Sequence, residues 1–82
     1  MEGRYYVYIL KSIKDSSKSY IGFTTDINRR LTEHNNKTQN YSKRYAPWEI
    51  KNYITFCDKE KAFKFEKYLK SGSGKAFLNK HF

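Results

Sequence analysis

Residues Ser19–Asn35 read SYIGFTTDINRRLTEHN, and two structural periods meet inside them. Ser19 to Phe23 has the β-branched and aromatic content of a strand, interrupted by Gly22. From Asp26 to His34 the apolar Ile27 and Leu31 recur at helical spacing, yet Arg30 and His34 share their face. Thr25 or Asp26 can cap this helix, and Asp26 also complements its dipole. The spacing therefore predicts Arg30 and His34 at the rim of the buried stripe, close to the sheet. The plainer reading of Arg30 is a snorkelling side chain, its stem packed and its head in water.

Working outward, Tyr5 to Lys11 (YYVYILK) reads as a buried strand, followed by a polar turn over Ser12–Ser17. The two strands are close enough to pair as an antiparallel hairpin. A symmetric hairpin sets Tyr8 opposite Tyr20 and Tyr6 opposite Gly22; a one-residue slip would turn the two tyrosines to opposite faces. Asn35 to Pro47 (NNKTQNYSKRYAP) is a long basic loop. Trp48 to Cys57 alternates Trp48, Ile50, Asn52, Ile54 and Phe56 on one face, a strand with a polar interruption. Asp58 can cap a second helix reaching about Lys70. SGSG, Ser71 to Gly74, breaks it, and Lys75 to Phe82 forms a short last helix with Phe77 and Leu78 docking back. The order strand, strand, helix, strand, helix, short helix predicts one α+β domain over residues 1–82, a small three-stranded antiparallel sheet flanked by helices.

Composition narrows the function. A chain of 82 residues buries only roughly 60–65% of the surface it exposes when unfolded, so the core is thin. Aromatic residues make up 18% of it, and tyrosine can pack while keeping one end wet. Seventeen Lys and Arg against 8 Asp and Glu give a formal charge of +9, which favours polyanions. Nucleic acid is the expected partner class, with a membrane surface second. A lone Cys57 rules out an internal disulfide and argues against zinc. No run is long enough to span a membrane and no signal peptide is evident, so a cytoplasmic protein is expected.

The second helix repeats the puzzle of the first with opposite sign. Ala62, Phe65, Glu66 and Leu69 share a face, and a carboxylate there is costly unless paired or bound to a cation. It reads either as a structural ion pair with a nearby Lys or Arg, or as a ligand for a hard ion such as Mg²⁺. GSGKA near the C-terminus is not a phosphate-cradling loop, because Leu69 stands where the first glycine belongs and Ala76 replaces Ser or Thr. His34 and His81 lack a second zinc ligand at useful spacing, and no Cys–His or Ser–His pair is indicated. A carboxylate, an arginine, a histidine and tyrosines facing one small core are parts that phosphodiester hydrolysis uses.

Taken in order, Tyr6-Val7-Tyr8, Tyr20-Ile21-Gly22, the Arg-bearing helix DINRRLTEH and the later EKAFKFEKYLK resemble the GIY-YIG nucleases over nearly the whole chain. The overall look is that of small single-domain members similar to the N-terminal domain of the UvrC excinuclease. That resemblance implies the GIY-YIG endonuclease fold and a metal-dependent cut in DNA, at branched, nicked or flapped structures in repair or recombination. It implies catalytic roles for Tyr8 and Tyr20, one of which helps activate water, and for Arg30, which stabilises charge on the phosphate. His34 would support them, and Glu66 would hold a single Mg²⁺ or Mn²⁺. Some relatives carry a lysine just after Tyr-Ile-Gly; here Phe23, Thr24 and Thr25 follow. With no room for a separate DNA-binding domain, capture of DNA is expected to rest on Lys37, Tyr41, Lys43, Arg44 and Tyr45. RNA remains open as a substrate, as does a protein partner for targeting. The competing readings are a non-catalytic nucleic-acid-binding module on the same fold and an interaction subunit.

Overall fold

In the computed structural model, which describes residues 3–36 and 44–81, the apolar run at the N-terminus becomes the middle of the sheet. Strand β1 (Tyr5–Ser12) lies between β2 (Ser19–Thr24) and β3 (Trp48–Phe56), antiparallel to both. A central strand is covered on both faces, which suits a continuous apolar run better than an alternating one. Val7, Tyr8, Ile9 and Leu10 are accordingly all buried.

The hairpin register differs from the symmetric expectation by two residues. Tyr8 pairs with Gly22, Leu10 with Tyr20 and Tyr6 with Thr24. The hairpin is thus centred on Asp15, whose carboxylate accepts from the backbone N–H and hydroxyl of Ser17 in an Asx turn. Gly22 locks this register, because the Tyr8 ring lies across it and a Cβ there would collide with the Tyr8 hydroxyl and ring. A shift of two keeps the faces, so Tyr8 and Tyr20 still share one side.

Strand β3 does not present one continuous face. Leu10 pairs with Ile50 but Ile9 pairs with Asn52, so Lys51 is an extra residue in a β-bulge. Trp48 and Ile50 therefore join Tyr8 and Leu10 on one side, while Ile54 and Phe56 join Val7 and Tyr5 on the other. The expected single stripe is split because the bulge advances the strand by one residue and reverses its sidedness.

Two small cores follow, one on each face of the sheet, rather than the single core expected. On the first face Tyr8, Leu10, Ala46 and Trp48 pack with Tyr20, Leu31 and Ile50. Helix α1 (Ile27–Asn35) covers them, capped by Asp26, whose carboxylate accepts from the Arg29 N–H at 3.0 Å. On the second face Val7, Ile9, Ala62 and Leu69 pack with Phe23, Phe65, Phe77 and Leu78. Helices α2 (Lys59–Leu69) and α3 (Gly72–His81) lie there, and Asp58 caps α2.

The last helix is longer than expected and begins inside SGSG. Ser71 Oγ accepts from the Gly74 N–H at 3.1 Å while donating to the Tyr68 carbonyl at 2.6 Å, so one residue ends α2 and starts α3. Gly74 permits the turn, since a Cβ there would collide with the Tyr68 and Leu69 backbone.

Candidate active site

Helix α1 buries a histidine more completely than either of its apolar residues. His34 has no exposed surface, while Ile27 and Leu31 are only half-buried. The expectation that His34 sits at a rim is corrected on this point: it lies beneath the helix, against the aromatic face of the sheet. Its Nε2 is 3.2 Å from the Tyr8 hydroxyl, and its ring centroid is 4.6 Å from that of Tyr20. The Tyr8 and Tyr20 rings stack at 6.2 Å.

Arg30, one turn before His34, does stand at the rim, with a quarter of its side chain exposed. Its Nη1 donates to Glu33 Oε1 at 3.0 Å, and its guanidinium also engages the Tyr8 hydroxyl. Burial works against the Arg30 charge, but Tyr8 and Glu33 outweigh it and hold its pKa above the usual value. Burial likewise pushes the Tyr8 phenol up, opposed by Arg30 and reinforced by Tyr20 and the Glu66 carboxylate. For His34, burial and then the Arg30 charge lower the pKa, so the imidazole is neutral at neutral pH. Arg30 Nε and His34 Nδ1 are buried without a hydrogen-bond partner among the described residues. Unmet polar groups of this kind cost about 1–3 kcal/mol each and collect at functional sites.

Glu66 belongs to the opposite layer. It shares the inward face of α2 with Ala62, Phe65 and Leu69, as the spacing predicts, and its side chain is only 14% exposed. Its Oε2 accepts from Lys70 Nζ at 3.0 Å, which meets the ion-pair reading. The carboxylate also raises the Tyr8 pKa, so its charge reaches the Tyr8 hydroxyl. As a hard, largely covered oxygen donor it suits Mg²⁺ or Mn²⁺. Among the described residues no three His, Cys, Asp or Glu gather, so such an ion would keep most of its waters, as Mg²⁺ commonly does.

Of the loop residues expected to hold nucleic acid, Lys37, Tyr41 and Lys43 lie outside the described residues. Arg44 and Tyr45 are placed together. The Tyr45 ring packs on the Tyr8–Trp48 core and carries Arg44 at 5.6 Å and Lys18 at 5.5 Å from its centroid. Two site-building residues were not singled out from the sequence. Glu33 holds both Arg29 and Arg30 at 3.0 Å, a pairing legible in the i,i+3 and i,i+4 spacing of RRLTE. Asn35 clamps Trp48, donating to its carbonyl at 3.1 Å and accepting from its N–H at 2.6 Å. That clamp sets the end of α1 against the start of β3, and no local pattern announces it.

Fold and site together define a small α+β protein whose polar centre is set into the face of an antiparallel sheet. The GIY-YIG catalytic domain matches residues 4–80, and the chain belongs to that nuclease family. It is 40% identical over 68 residues to the structure-specific endonuclease subunit slx1 of Talaromyces marneffei, covering 76% of this chain but 18% of that protein. A UPF0213 protein of Streptococcus pneumoniae is 38% identical over 71 residues, covering 85% of this chain and 70% of the relative. The solution NMR structure of a UPF0213 protein from Bacillus halodurans superposes with a TM-score of 0.56 at 34% identity. That match covers 94% of this chain and 83% of the other. The three-stranded antiparallel sheet with flanking helices is therefore the fold of the family. Among the described residues no helix is long and apolar enough to cross a membrane.

Proposed function

We propose that this chain is a divalent-metal-dependent endonuclease that hydrolyses phosphodiester bonds in branched, flapped or nicked DNA. The observation that carries the reading is the convergence of Tyr8, Tyr20, Arg30 and His34 on one cluster. The family, the +9 charge and the slx1 likeness support it, the last, a structure-specific endonuclease subunit, suggesting a structured substrate and a partner subunit.

Arg30 and the half-buried Tyr20 are the groups of the cluster that reach the surface, and Tyr8 with His34 lies behind them. Arg30 binds the phosphate: its planar fork matches phosphate oxygens, and a quarter of its side chain is exposed to meet them. Clamping charge that grows in the transition state is worth more here than in water. Tyr8 is held protonated by burial and faces a neutral His34 Nε2. The pair can pass a proton inward: Tyr8 gives its proton to Nε2 as it receives one from the attacking water's side. Glu66 holds the metal ion, which supplies Lewis-acid polarisation of the phosphate when bound.

A panel of labelled single-stranded, duplex, flapped and four-way DNA, with RNA counterparts, tests this in Mg²⁺ and Mn²⁺. Cleavage of a branched DNA is expected, with Glu66→Ala lowering kcat by about a hundredfold or more while binding stays within about twofold. Absence of cleavage with either metal, with nucleic acid still bound, would favour the binding-module reading instead.

A further inference from the structure

Two adjoining depressions lie about the β2 side of the sheet, the first beneath α3 and the second running round the sheet edge. The first, of about 390 Å³, has Ile9, Ile21 and Leu78 for its floor and Lys11, Lys51 and Lys75 on its rim. The second, of about 470 Å³, opens along the outer edge of β2 and carries Lys18, Lys70 and Lys75. They share Ser17, Ser19, Ile21 and Lys75, so they form one groove. Among the described residues no carboxylate lines either one.

The groove is tied at one end to the candidate active site. Tyr20 lines the second depression, and Lys70 of that depression is the partner of Glu66. Lys18 also stands over the Tyr45 ring beside Arg44, so the charge continues toward the basic loop. The ion pairs of the described residues join Arg29 and Arg30 to Glu33, Lys64 to Glu60 and Lys70 to Glu66. Lys11, Lys51 and Lys75 take part in none of these, and their charge is available to an outside anion.

Local structure explains why the lysines converge. Lys11 follows Ile9 on the α3 face of β1, Lys51 is the bulged residue of β3 and Lys75 stands in the first turns of α3. Three elements remote in sequence thus raise ammonium groups around an apolar floor. A single strand of nucleic acid has the matching character, with phosphates spaced along one side and sugar and base faces on the other. A membrane surface would ask for an exposed apolar face with a basic border, and here the apolar floor is recessed.

We propose that this groove holds the phosphate backbone of a single-stranded arm of the substrate and feeds it toward Tyr20 and Arg30. It rests on the nuclease reading only for the direction in which the strand runs. Binding is tested without metal by fluorescence anisotropy of a labelled oligodeoxythymidylate across a salt series. Replacing Lys11, Lys51 and Lys75 together with Gln should weaken binding about tenfold or more. It should also flatten the log–log salt dependence by about 2, from roughly 0.7 per lost phosphate contact. Lys59, Lys61 and Lys64 changed to Gln remove the same charge from exposed α2 positions outside the groove, and should cost less than about threefold. Equal losses in the two triple variants, no loss in the first, or no binding by the unaltered chain would each overturn the groove. The nuclease reading fails separately: binding that depends on the groove without any cleavage sinks the enzyme alone. Cleavage with binding unmoved by the first variant sinks the groove alone.

Discussion

Gly22 is where backbone and chemistry touch most closely. Its missing side chain gives the Tyr8 ring its place on the sheet. Gly22→Ala is expected to destabilise the protein by about 1–3 kcal/mol, the usual cost of overpacking, measured by urea unfolding. Because the ring must move, its hydrogen bond to His34 should also be lost, and any nuclease activity should fall further than stability alone explains. His34 makes a second prediction. Its folded pKa lies below the ordinary 6.5, so the unfolded chain binds more protons over the interval between them. The stabilisation from a neutral His34 is complete above pH 6.5 and declines as pH falls through its folded pKa. A plot of unfolding free energy against pH should drop on that acid side, and His34→Gln should flatten the drop; an unchanged slope in the variant would refute the assignment. At this scale the sequence shows which residues depart from their pattern, since Arg30 and His34 break an apolar helix face. It could not say how deep each one sits. Depth depends on what the sheet offers beneath the helix, and here it offers a tyrosine hydroxyl to the histidine and solvent to the arginine.

At the scale of elements, one bulged residue divides the molecule into two cores. Lys51 is exposed and its side chain meets no packing demand, so Lys51→Ala should leave stability within about 0.5 kcal/mol. Deleting Lys51 is a different experiment: either Trp48 and Ile50 or Ile54 and Phe56 must then turn away from their core. Loss of the cooperative thermal transition is expected for the deletion and not for the substitution, by circular dichroism. A folded deletion variant of native stability would mean the bulge does not set sidedness. Strand positions and helix caps were legible locally, because Asp26 and Asp58 act within their own turns. Bulge and hairpin register were not, because both are settled by partners on other strands.

For the whole molecule, charge and thin cores set the terms. A formal charge of +9 repels itself in a chain with little buried surface to hold it together. Screening should therefore raise the melting temperature by a few degrees between low and moderate ionic strength, since about 1 kcal/mol corresponds to 4–8 °C at this size. A melting temperature that falls with added salt would show that the Arg–Glu and Lys–Glu pairs outweigh the repulsion. The same charge favours polyanions at any salt low enough to leave it unscreened. By itself the sequence determined the order of elements, the basic character and the family pattern of tyrosines, arginine and glutamate, because those are written in local spacing and composition. Only the tertiary structure decided that His34 lies buried against Tyr8, that Glu66 stands in the opposite layer paired with Lys70 and that scattered lysines share one groove. Those facts depend on which side of a sheet each residue reaches, and a strand's sidedness is set by its neighbours rather than by its own residues.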